Sequence, residues 1–312
     1  MGGRVSVLFT FPGQGAQKPG MLHTLPPHPE TVRTLAEATA ALGRDVLTLD
    51  SVDALRSTVA VQLSLLVAGV AMARVLAAHG ALPSMVAGLS IGAWPAAVVA
   101  GVLAFTDAVR LVELRARLME DAYPSGYGMT AIGGLTRQQL EPLIAQVHGP
   151  HTPVYLANLN APRQLVVSGS GPALDAVAEL ALSYGATRAE RLAVPVPSHC
   201  ALLDEQARTL ACACDQVPRN RPRITCVSSS AARALFDGDR IMADLAANMA
   251  RPVLWADTLR HAWERGARAA LEMPSGSVLT RLAQEADFGA GIALCADCNR
   301  LDTLVQVARE TQ

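Results

Sequence analysis

Ser90 sits in Gly88-Leu89-Ser90-Ile91-Gly92, a Gly-x-Ser-x-Gly pentapeptide between two apolar runs, Ser84-Met85-Val86-Ala87 and Ala93-Trp94-Pro95-Ala96-Ala97-Val98-Val99. A strand, a sharp turn and a helix would place this serine on a nucleophile elbow with its Oγ exposed. The N–H of Ile91 would aim at the same point and form half of an oxyanion hole. Pro95 suits a first helical turn, where its missing N–H costs nothing. Alone, the pentapeptide is equally an ordinary βα turn with a chance serine.

A serine nucleophile needs a base. The chain has seven histidines. His23 and His28 fall in a Pro-rich loop, and His148 and His151 flank a Gly-Pro turn. His79 and His261 occupy helical, partly polar settings. His199 stands apart, in Val194-Pro195-Val196-Pro197-Ser198-His199-Cys200-Ala201. The prolines stiffen an extended segment and helical residues follow, so the imidazole sits at the mouth of a helix where two parts of the chain meet. Clefts form at such junctions, although a lone histidine is more often structural.

Arg115 is the third candidate. Arg110, Glu113 and Arg117 form a solvated stripe, with Glu113 and Arg117 paired one turn apart. Arg115 lies beside the apolar face carrying Leu111 and Leu118. A guanidinium there is a structural ion pair, a snorkelling side chain, or a bidentate clamp on a substrate carboxylate. Gly13-Gln14-Gly15 follows the first strand and lets the backbone approach another group closely. The Gln14 N–H could supply a second oxyanion donor.

Alternating strand and helix patterns argue for an α/β fold with a largely parallel sheet. A strand is expected over 5–9, helices over 31–42 and 57–79, the elbow strand over 85–89, and a helix over 108–122 capped by Thr106 or Asp107. After the Tyr123-Pro124-Ser125-Gly126 break the pattern becomes β-α-β-β-α-β, the ferredoxin-like split. A small inserted α+β domain over 129–192 is predicted, with 1–128 and 193–312 forming the large domain.

The composition narrows the functional classes. The 312 residues are 51% hydrophobic and 17% charged, with a net charge of -1. There is no basic footprint for nucleic acid and no polybasic membrane patch. Met1-Gly2-Gly3-Arg4 does not read as a secretory leader. The apolar stretches 93–105 and 59–78 read as buried helices: the first is too short to span a bilayer, and Gln62, Ser64 and Arg74 interrupt the second. Six cysteines include Cys212-Ala213-Cys214 and Cys295-Ala296-Asp297-Cys298, with no histidine nearby to complete a zinc set. No metal is expected, and free thiols imply a reducing cytoplasm.

Taken in order, several segments resemble the malonyl-CoA:acyl-carrier-protein transacylases. They are Phe11-Pro12-Gly13-Gln14-Gly15-Ala16-Gln17, the serine elbow, Glu113-Leu114-Arg115, Asn158-Leu159-Asn160-Ala161-Pro162, Val196-Pro197-Ser198-His199-Cys200-Ala201 and Arg251-Pro252-Val253-Leu254-Trp255. The resemblance implies a hydrolase-like α/β core with an inserted ferredoxin-like domain and a site between them. It implies Ser90 as nucleophile, His199 as base, Arg115 on the malonyl carboxylate, and the Gln14 and Ile91 N–H groups as oxyanion hole. The backbone carbonyl of Asn248 would orient the histidine.

The elbow departs from the common Gly-His-Ser-Leu-Gly-Glu: Leu89 and Ala93 replace the histidine and glutamate. In this, and in Leu55-Arg56-Ser57-Thr58-Val59-Ala60-Val61-Gln62-Leu63, the chain looks like the malonate decarboxylase epsilon subunit. That branch implies malonyl transfer from malonyl-CoA to the decarboxylase's carrier subunit, whose thiol belongs to a phosphoribosyl-dephospho-CoA. The alternatives are a transacylase of fatty-acid or polyketide synthesis using a phosphopantetheine thiol, a serine thioesterase, and a non-catalytic assembly subunit. No permanently bound cofactor is implied.

Overall fold

The structure, a computed structural model, describes residues 6–286 and 291–311. The start of the strand expected over 5–9, and Met1 to Arg4 before it, lie outside the described residues. The chain runs β1 (Ser6–Phe11), α1 (Pro29–Leu42), α2 (Thr58–Ala78), β2 (Met85–Gly88), α3 (Ala93–Val99) and α4 (Phe105–Ala122). A smaller unit follows: β3 (Tyr127–Gly133), α5 (Arg137–Val147), β4 (Val154–Ala161), β5 (Gln164–Ser170), α6 (Gly171–Ser183) and β6 (Arg188–Arg191). It ends with α7 (Asp204–Cys214), β7 (Thr225–Ser228), β8 (Arg233–Leu235), α8 (Gly238–Ala247), α9 (Trp255–Glu264), β9 (Ala267–Glu272), α10 (Val278–Glu285), β10 (Ile292–Cys295) and α11 (Leu301–Glu310).

Six strands form one sheet in the order β10-β9-β1-β2-β7-β8. Every neighbouring pair is parallel except β7 with β8. The other four form an antiparallel sheet in the order β4-β5-β3-β6, the arrangement expected of a ferredoxin-like split. Its helices bury Leu140, Leu143, Leu174 and Val177 against Ile132 and Val167, so the small sheet has a core of its own. The fold class read from the sequence is the one observed. Two main-chain bonds join the small sheet to the large unit: Leu159 N–H donates to Val253 O and Val253 N–H donates to Ala157 O, both at 2.8 Å.

α2 is long and apolar enough to cross a membrane, but it is buried along most of its length against α1, α3 and α4. An all-round apolar helix belongs in the middle of a core. α2 is tied to α4 at its start, where Glu120 accepts the Thr58 N–H at 2.8 Å.

Three sequence expectations need correction. α4 begins at Phe105, with Ala104 as its cap residue and no side-chain cap. Burial of Phe105 anchors the first turn, and Asp107 falls inside it, where the helix dipole favours a carboxylate. The stretch 93–105 is not one helix: α3 ends at Val99 and the chain turns at Gly101, with φ of 79°. The elbow strand stops at Gly88, one residue early, because the turn starts there.

Candidate active site

The glycines of the elbow are dictated by space. A Cβ on Gly88 would lie 2.0 Å from the carbonyl carbon of Gly92, and one on Gly92 would lie 2.1 Å from Phe11 O. The ends of β1 and β2 are thus pressed together, with Leu89 N–H donating to Phe11 O at 3.0 Å. Between the glycines, Ser90 has φ of 56°, left-handed for a residue with a Cβ. His199 has φ of 65°. Each such residue costs about 1–3 kcal/mol, and that strain persists only where the surroundings enforce it.

The two strained residues meet. Ser90 Oγ lies 2.8 Å from His199 Nε2, although they are 109 positions apart. His199 Nδ1 lies 2.9 Å from Asn248 O and 3.1 Å from Arg251 O. A carbonyl only accepts, so Nδ1 carries the ring proton and Nε2 is left as the acceptor for the serine hydroxyl. The histidine backbone is pinned as well, its N–H donating to Met249 O at 2.7 Å. Burial, then the nearby Arg115 charge, pull the imidazole down to about 4, against the two carbonyls. It is therefore neutral at ordinary pH, as a base must be.

Arg115, 25 positions beyond the serine, completes the cluster. It is entirely buried. Nη1 donates to Gln62 Oε1 at 2.6 Å, Nη2 donates to Ser90 Oγ at 3.3 Å, and Nε has no partner. Burial alone pulls the guanidinium down to about 9. Among the described residues no carboxylate pairs with it. A buried cation held by neutral groups is a place prepared for an anion.

A cavity of about 330 Å³ opens onto Ser90 and His199. Its lining includes the loop after β1 that carries Gln14 and residues of β3, β4 and β5 of the small sheet. Asn158, Asn160 and Gln164 add amides to a largely apolar lining. The lining also includes Leu89, the residue that departs from the common elbow.

Ser90, His199, Arg115 and the Asn248 carbonyl, all singled out in the sequence, share this site, and Gln14 lines the same cavity. Ile91 follows the serine with a buried side chain. Gln62 and the Arg251 carbonyl went unrecognised as partners. A glutamine in an otherwise apolar helix was the available signal for the first, because a buried amide needs a mate. All six cysteines are free. Burial pushes the Cys200 thiol, beside the histidine, up to about 11, so it is inert. Among the described residues no cluster of His, Cys, Asp or Glu could hold a metal ion.

Comparison with known proteins gives this arrangement its relatives. The acyl transferase domain family matches residues 8–292. The malonyl CoA-acyl carrier protein transacylase of Escherichia coli (strain K12) is 37% identical over 285 residues, covering 88% of this chain and 90% of that protein. The chain belongs to the malonyl-CoA:acyl-carrier-protein transacylase family. Two solved structures of that family superpose closely. The transacylase of Coxiella burnetii has a TM-score of 0.91 and 32% identity, covering 99% of this chain and 98% of the other. A malonyl-transacylase in complex with its type II PKS acyl-carrier protein has a TM-score of 0.90 and 34% identity, covering 98% and 99%. The likeness reaches the transacylase family and no finer branch within it.

Proposed function

We propose that this transacylase-family enzyme moves malonyl from malonyl-CoA to the thiol of an acyl carrier protein through a malonyl-Ser90 intermediate. The observation that carries the reading is a neutral His199 bonded to Ser90 Oγ with a buried Arg115, held only by neutral side chains, beside the same oxygen. His199 Nε2 takes the hydroxyl proton as Ser90 Oγ attacks the thioester carbonyl. The N–H groups of Gln14 and Ile91 hold the developing oxyanion, each worth about 3–4 kcal/mol in comparable sites. The C–S bond breaks, and CoA leaves with the proton from His199. The carrier thiol then gives its proton to His199 and attacks the ester, and Ser90 Oγ regains a proton.

Arg115 binds the free carboxylate and selects malonyl over acetyl, because acetyl leaves the cation buried and unpaired. In this reading 1–128 and 193–312 are the large domain, which carries the reacting groups, and 129–192 the small domain, which supplies the facing wall. The enzyme acts in the cytoplasm with no resident cofactor.

Two acceptors have support. The named relatives favour a phosphopantetheine thiol on the acyl carrier protein of fatty-acid or polyketide synthesis. Leu89 and Ala93 in the elbow favour the carrier subunit of malonate decarboxylase. Purified enzyme is offered malonyl-CoA with each carrier, and intact mass is read on both proteins. The expected result is one malonyl group on Ser90, absent in Ser90→Ala, and malonyl on one carrier. Rapid release of free malonate without a carrier, and no carrier acylation, would make the protein a thioesterase. No adduct on Ser90 would end the covalent mechanism.

A further inference from the structure

We propose that Met119 is a positioning residue for the Arg115 clamp, acting through the Gln62 amide, a role that rests on the acyltransfer reading for its kinetic consequence. The contacts lie between α2 and α4, whose register is fixed at one end where Glu120 accepts the Thr58 N–H at 2.8 Å. Gln62 comes one turn further along α2, and Met119 immediately precedes Glu120 on α4. Gln62 Nε2 donates to Met119 Sδ at 3.5 Å, and Gln62 Oε1 accepts from Arg115 Nη1 at 2.6 Å, one turn back along α4. The other arm of the guanidinium, Nη2, donates to Ser90 Oγ at 3.3 Å. Gln62 and Met119 are each 1% exposed and Arg115 is fully buried, so bulk water does not compete for these groups.

A guanidinium only donates, so Gln62 serves Arg115 only with its oxygen forward. A half-turn of the amide would set its NH2 against Nη1, donor on donor. What selects the useful face is the acceptor that waits for the NH2, and among the described residues that acceptor is the Met119 thioether. The flanking side chains on α2, Val61 and Leu63, are buried and apolar and offer the NH2 nothing. Sulfur accepts weakly, and here that weakness has a use. A carboxylate at position 119 would hold the NH2 more firmly, but its charge would pair with Arg115 and remove the need for a substrate anion. The thioether aims the amide and leaves the cation uncompensated. Met119 also lines the cavity that opens onto Ser90, so the sulfur stands at the edge of the chamber and not behind it.

Without the sulfur the Gln62 amide samples both faces, Nη1 loses its anchor for part of the time, and the guanidinium drifts from the place that receives the carboxylate. The test compares Met119→Leu, an apolar side chain of similar volume, with Gln62→Leu and the Gln62→Leu/Met119→Leu double variant in the full-length enzyme. Two readouts are taken: the pre-steady-state rate of Ser90 malonylation at subsaturating malonyl-CoA, and the proton NMR resonances of the Gln62 side-chain NH2 in the free protein, assigned by their loss in Gln62→Leu. Acylation should slow by roughly threefold to tenfold in Met119→Leu, the worth of one net hydrogen bond. Gln62→Leu should slow it at least as much, and adding Met119→Leu to it should cost less than about twofold more, because the sulfur then has no amide to aim. The Gln62 NH2 resonances should shift or broaden in Met119→Leu. Unmoved resonances in a folded Met119→Leu overturn the proposal whatever the rate. A double variant that loses the full product of the two single effects also overturns it, since Met119 would then act by packing, independently of Gln62. If Met119→Leu does not fold, Met119→Ile is read by the same criteria. If the wild type itself forms no malonyl adduct, the acyltransfer reading fails and the NMR arm alone decides the role of Met119.

Discussion

Replacing Arg115 by alanine tests the selectivity argument directly. In the free protein its Nη2 is 3.3 Å from Ser90 Oγ and its Nη1 is anchored on Gln62. Once malonyl is esterified to that oxygen, its carboxylate lies only two carbons beyond the carbonyl carbon, within reach of the same guanidinium. Removing one partner of a buried ion pair costs about 3–5 kcal/mol. At about 1.4 kcal/mol per decade, kcat/KM for malonyl-CoA should fall between a hundredfold and a few thousandfold. Acetyl-CoA should move the other way, because an acetyl group no longer strands a buried cation. Arg115→Met, which keeps length without charge, separates loss of the clamp from the hole that alanine leaves. Initial rates of transfer from both CoA esters to one carrier are the measurement. The clamp is wrong if acetyl-CoA stays excluded in both variants, or if malonyl transfer falls less than tenfold.

His199 titrates near 4 when folded and near 6.5 when free, so the unfolded chain binds the extra proton between those values. Stability should therefore decline as pH falls through that window, by about 3 kcal/mol for this group, which chemical denaturation across pH would show. The acid limb of kcat/KM should also lie well below 6.5. The limb of kcat should be higher than that of kcat/KM, because the bound carboxylate cancels the Arg115 charge, and coincident limbs would contradict this. Gly92→Ala should lose more than about 4 kcal/mol of stability, since its Cβ would meet Phe11 O at 2.1 Å. A denaturation midpoint unchanged from wild type would show that the elbow can relax.

The parts of the site written in local pattern were legible from the chain alone. Gly88 and Gly92 announce a tight turn, the Pro-Val-Pro run announces a stiff approach to His199, and Arg115 interrupts an apolar stripe. The β-α-β-β-α-β order was equally readable because each element carries its own periodicity. What escaped was set by distant packing. Gln62 meets Arg115 only because α2 and α4 lie side by side, and nothing around residue 62 names its partner. The Arg251 carbonyl reaches the imidazole through the path of a loop, and main-chain acceptors leave no trace in residue type. The start of α4 moved because burial of Phe105 outweighed the capping preference of Thr106 and Asp107.

The paired main-chain bonds between Val253 and β4 carry a mechanical consequence. Val253 is two residues from the Arg251 carbonyl that steadies the imidazole. A clamshell swing of the four-stranded sheet away from its neighbour would tear that stitch and drag on the His199 imidazole in the same stroke. Entry to the cavity is therefore cheapest by side chains stepping aside, and the cavity's wall doubles as a brace for the His199 ring.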